Sequence, residues 1–165
     1  MAQRIVARRC ESGGTPPYKI TSKRIKDLEG VRRYIDKIDF TMAKKKLCSS
    51  EEGDPGWSAK KANFVEKQYK NWLFLRRKYE NELMPPDSEI DEFWHAHLLD
   101  TFAYHRDTSA IFGHYFHHFP YFGMGGKADY ARLQRAFQNT LKRHREEYSE
   151  ELVGFCGKAS SKPKL

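Results

Sequence analysis

Seven histidines occur in 165 residues, and six fall between positions 95 and 118: His95, His97, His105, His114, His117 and His118. Imidazole is the commonest metal ligand and titrates near neutrality. Crowded beside Asp91, Asp100 and Tyr104, it points to metal or acid–base chemistry. A helix advances about 100° per residue. Asp91 and His95 then share one face, His97, Thr101 and Tyr104 share another, and His95 and His97 point to opposite sides. One ion cannot readily take both of those histidines from one regular helix. The spacing predicts a site from Asp91 and His95, or from His97 with Asp100 or Tyr104. Either set would be completed by the segment from His114 to His118, whose end residues are four apart and chelate if the stretch is helical.

The candidate metal ligands are therefore His95, His97, His117 and His118, and the candidate metal is zinc or iron. Asp91 and Tyr104 are the candidate catalytic groups, orienting ligands or carrying a proton. An ion with an open position would activate water or polarise an oxygen. Glu92-Phe93-Trp94-His95 has the Glu-x-x-His spacing of di-iron bundles, but those need a second copy and none occurs. His-Glu-x-x-His is absent. A second reading needs no cofactor at all. Trp94, Leu98, Thr101, Phe102 and His105 make the more apolar side of this helix, so an imidazole there can simply serve a carbonyl. Asp91 is then a cap or an orienter of His95, and His117 and His118 stack within an aromatic loop.

Asp91-Glu92-Phe93-Trp94-His95-Ala96-His97, then Tyr104, Phe112-Gly113 and His117-His118-Phe119-Pro120, resembles the glycine-rich domain-containing protein-like family in its compact single-domain form. The likeness spans about residues 56–148. The acidic-Cys pair typical of that family is here Asp107-Thr108, so a role for its cysteine does not transfer, and no glycine-rich extension is present. The resemblance implies an all-α domain and no particular reaction.

The elements that must hold these residues read as five helices. Ile25, Leu28, Val31, Ile35 and Ile38 recur at steps of three and four and predict a helix over 22–47, weakened at Gly30, with a break possible near Asp39. The Gly53-Asp54-Pro55-Gly56 turn interrupts. Ser58 caps a second helix that ends near 81. After Pro85-Pro86, Ser88 and Asp91 form a capping-box-like pair at the head of a helix over 89–106. A shorter helix follows over 108–117, then an aromatic, glycine-containing loop, then a helix over 129–150. No period-two strand pattern or internal repeat is visible. The expectation is an all-α, compact bundle over 22–154, with a flexible basic segment at 1–21 and a flexible basic tail at 155–165.

Lys and Arg number 30 against 22 Asp and Glu, a formal charge of +8. The excess is peripheral: residues 23–46 carry nine bases against four acids, and residues 47–157 carry 14 bases against 17 acids. The run Lys44-Lys45-Lys46 is either a solvated helix end or a contact for an acidic protein or nucleic acid. Through that basic helix the chain would be a non-enzymatic interaction module, or a small regulatory protein acting on one partner. Cys10, Cys48 and Cys156 are odd in number and without a CxxC, which argues against a disulfide framework or a cysteine zinc site and for a reducing, cytoplasmic setting. The Arg-rich start imitates a transit peptide but is short, and reads as a frayed terminus. No apolar run is long enough to span a membrane. Hydrolase elbows, Walker loops and dinucleotide fingerprints are absent.

Overall fold

A computed structural model describes residues 23–155. The expected basic N-terminal segment, Cys10, Cys156 and nearly all of the C-terminal tail lie outside the described residues. Six helices and no sheet occur among those described: α1 Leu28–Asp36, α2 Thr41–Leu47, α3 Ala59–Lys78, α4 Ser88–Leu99, α5 Thr101–Phe112 and α6 Lys127–Tyr148. The all-α bundle is as expected, with one helix more because the first predicted helix is two.

The split follows from local chemistry. Asp27 caps α1, accepting from the Gly30 amide at 2.6 Å, and that bond holds its carboxyl below the usual range. The chain leaves the helix after Asp36 so that Ile38 and Phe40 can both enter the core. Asp39 then accepts from the Thr41 amide and starts α2.

α3 is the axis of the molecule and packs against α1, α2, α4 and α6. A helix so surrounded has no wide polar face. Val65, Tyr69, Trp72, Leu73 and Leu75 are all at most 2% exposed. Each such side chain contributes about 1.5–3 kcal/mol on burial. Ser58 caps α3 as expected, accepting from the Lys61 amide.

The predicted helices over 89–106 and 108–117 have different bounds in the structure. Asp100 ends α4 and also caps α5, accepting from the Ala103 amide at 3.1 Å. α5 stops at Gly113, whose φ of 84° is open to glycine and strained for other residues. The segment from His114 to His118 is therefore irregular rather than helical, and His114 and His118 do not share a helical face. Between α3 and α4 the Met84–Pro85–Pro86 strap is fixed from two sides. The Trp72 indole donates to the Met84 carbonyl at 3.0 Å, and the Thr140 hydroxyl of α6 donates to the Pro85 carbonyl at 2.7 Å. No helix among the described residues is long and apolar enough to cross a membrane.

Candidate metal centre and adjoining cavity

Asp91 and His95 stand one turn apart on α4 and face the same way. Asp87 caps this helix, accepting from the Ile90 amide at 2.8 Å. His118 reaches them from the irregular segment after Gly113. Its Nε2 lies 3.1 Å from Asp91 Oδ1 and 3.2 Å from His95 Nε2, and His95 Nε2 is 3.9 Å from Asp91 Oδ2. One donor atom from each of the three residues lies within 4.8 Å of the other two. Bonds of about 2.0–2.2 Å place donors about 2.9 Å apart at right angles and about 3.4 Å apart at a tetrahedral angle. The observed edges, from 3.1 to 3.9 Å, bracket the tetrahedral value.

His118 Nε2 faces both the Asp91 carboxylate and the His95 Nε2. With lone pairs turned inward the three groups can also converge on one cation. Side-chain exposure falls from 50% at His95 and 37% at Asp91 to 13% at His118, so the cluster opens to solvent on the His95 side.

The position of His118 is set by a clamp two residues before it. The Tyr104 hydroxyl donates to the Phe116 carbonyl and accepts from the Trp94 indole N–H at 2.9 Å. The Phe116 ring stacks on Phe112 and on Trp94, with centroids 4.5 Å and 5.5 Å apart. The His118 ring rests on Trp94 at 4.3 Å. Tyr104 is fully buried, and burial pushes its hydroxyl well above the usual phenol range. The structure thus places this candidate catalytic residue behind the three-residue cluster, with its hydroxyl turned to Trp94 and Phe116.

His97 is not among the ligands brought together. It points to the other side of α4 and is 3% exposed, with its Nδ1 2.9 Å from the Tyr69 hydroxyl. Its Nε2 lies 3.3 Å from Asp107 Oδ2, close enough for an ion pair but not aligned as a hydrogen bond. Asp107 also accepts from the Tyr34 hydroxyl and the Arg106 guanidinium, both at 2.7 Å. Burial pushes the Asp107 carboxyl up, but the neighbouring His97 imidazole, the Arg106 guanidinium and the Tyr34 hydroxyl outweigh it and hold it below the usual range. His117 is exposed and packs on Tyr115 rather than joining the cluster. His105 and His114 lie against Tyr115 and Phe112. Among the lysines, Lys44 pairs with Glu66 and Lys46 with Asp54, while Lys45 is exposed.

Beside the three donors lies a cavity of about 330 Å³ that Asp91, His117 and His118 help to line. Its walls are mainly apolar, with Trp72, Met84, Pro86, Trp94, Phe116 and Phe122 among them. Arg76 of α3 and Arg132 of α6 also reach it. Neither arginine stands out in the sequence as a site residue. The available signal is that Arg76 continues the apolar stripe Val65, Tyr69, Trp72, where a charge is out of place.

No family model matches the chain, and neither the curated proteins nor the solved structures hold a match to it.

Proposed function

We propose that the protein binds one divalent transition-metal ion through Asp91, His95 and His118, and that the ion acts on a small molecule held in the adjoining cavity. The observation that carries this reading is the convergence of one carboxylate and two imidazole donors from two separate elements. Imidazole with carboxylate and no thiolate suits zinc or ferrous iron. Three protein ligands leave a position open, the arrangement of catalytic rather than structural sites. Such an ion, when bound, polarises an oxygen of water or of a ligand. The chain's own part is to fix the donors: α4 supplies two of them at a rigid one-turn spacing, and the Tyr104–Phe116 clamp delivers the third.

Elemental analysis after reconstitution tests the proposal, using untagged protein with zinc or, anaerobically, with ferrous iron. The expected result is about one ion per chain. Asp91→Asn, His95→Gln and His118→Gln should each lower the occupancy sharply, whereas His97→Gln and His117→Gln should retain it. Wild-type protein that stays substoichiometric, or loss confined to His97→Gln, overturns it.

A further inference from the structure

We infer that the cavity beside Asp91 and His118 is a binding site for a small organic anion with a flat apolar body, its acidic group held by Arg76 and Arg132. The inference deepens the metal reading and takes from it only the added positive charge of an ion at Asp91.

Charge and place together single out the two arginines. Six others form carboxylate ion pairs: Arg24, Arg33, Arg77, Arg106, Arg143 and Arg145. Arg32, Arg76, Arg132 and Arg135 form none among the described residues, and of these only Arg76 and Arg132 line the cavity, with Glu80 acting on Arg76 as a more distant charge. Arg76 is half-buried, and its guanidinium lies 5.4 Å from the centre of the Phe116 ring while Nη1 donates to the Glu82 carbonyl. Arg132 lies 5.3 Å from the centre of the Phe122 ring. A guanidinium has five N–H donors in a fork that fits a carboxylate, so most of both forks remain for a ligand. Desolvation draws the Arg76 guanidinium below its usual range, a cost that an anion in the cavity would offset.

The acids on the wall do not fill that role. Asp91 faces the two histidines, and Asp129 accepts from the amides of Gly123 at 2.7 Å and Gly125 at 3.2 Å. The wall carries two guanidiniums and two carboxylates, so a divalent ion held by Asp91 would leave it net positive. About 330 Å³ is at the small end of the range for ligand pockets, roughly 300–1,000 Å³. The indoles of Trp72 and Trp94 and the rings of Phe116 and Phe122 offer flat faces to an unsaturated body.

The test is tryptophan fluorescence titration of the full chain with phenylacetate and with its neutral counterpart 2-phenylethanol, metal-free and zinc-loaded. Trp72 and Trp94 line the cavity and report directly. The metal-free protein should bind phenylacetate about tenfold or more tighter than the alcohol. Arg76→Gln and Arg132→Gln should each weaken phenylacetate by about 10- to 100-fold and leave the alcohol unchanged. Arg132 is exposed, so its variant keeps the test valid if Arg76→Gln does not fold. Equal binding of acid and alcohol, no binding of either, or an acid preference that survives Arg132→Gln and a folded Arg76→Gln overturns the inference. An intact acid preference that zinc does not alter, in protein that takes up no metal, sinks the metal reading and leaves the anion site standing.

Discussion

Tyr104 has the right chemical type for catalysis and lies near the candidate site, yet it can act there only through its neighbours. Its hydroxyl has two partners, the Trp94 indole N–H and the Phe116 carbonyl, and no access to the cavity. Tyr104→Phe removes the hydroxyl and leaves both partners unmatched. An unsatisfied buried polar group costs about 1–3 kcal/mol, so a loss in that range is expected in urea unfolding. Because the Phe116 carbonyl is two residues from His118, zinc affinity should fall as well, by about 10- to 100-fold as for other groups that orient ligands. Normal affinity in a destabilised variant would mean that ring packing on Trp94 alone places His118. At this scale half of the site was legible. The one-turn spacing of Asp91 and His95 sufficed to pair them, and His118 stood among the candidates for the third position. The place of His97 was not legible, because Tyr69 and Asp107 come to it from two other helices and Phe40 from the turn before α2.

The elements that present these residues depend on where helices stop. Asp100 ends one helix and caps the next with the same side chain, so an apolar pattern that runs on through it conceals the boundary. An Asp followed by Thr in mid-pattern was the available sign. Gly113 matters more for the site, since the chain must leave α5 there for His118 to reach α4. At a φ of 84° an added Cβ would also meet the Arg24 side chain at 3.0 Å. Gly113→Ala is expected to cost about 1–2 kcal/mol, measured by thermal or urea unfolding. It should weaken metal uptake only insofar as the segment from His114 to His118 shifts. A variant as stable as the wild type would show that the turn relaxes into another conformation. The stops at Pro85-Pro86 and the cap at Ser58 were legible because proline and serine act through their own backbone neighbours. The extra break between α1 and α2 arises instead from Ile38 and Phe40 seeking the core, a demand set by the whole fold.

For the molecule as a whole, net charge says less than the fate of its buried ionisable groups. The +8 balance does not make the Lys44-Lys45-Lys46 run a free basic surface, because Lys44 pairs with Glu66 and Lys46 with Asp54. His144 of α6 is 2% exposed, with Nδ1 3.0 Å from the Glu150 carbonyl and Nε2 3.3 Å from the Gln68 amide oxygen. Desolvation holds it below the usual value of 6.5, assisted by Lys67 and opposed by the Glu150 bond and the charges of Glu150 and Glu151. The unfolded chain therefore binds a proton at His144 more readily than the folded one. Stability from this group is present above about pH 6.5 and declines as pH falls through and below it. Asp107 acts in the same direction further into acid. Its carboxyl is held below 3.8, so its contribution is present above that value and is lost as pH falls through the lower folded one. Acid unfolding should thus begin with His144 and finish with Asp107. Urea unfolding at a series of pH values checks the order. The wild type should weaken from about pH 6.5 downward, His144→Gln should flatten that first decline, and Asp107→Asn should remove part of the later one after an initial loss at neutral pH. Stability that is level from neutral to about pH 5 in the wild type, or a first decline unchanged in His144→Gln, would count against His144 as its source.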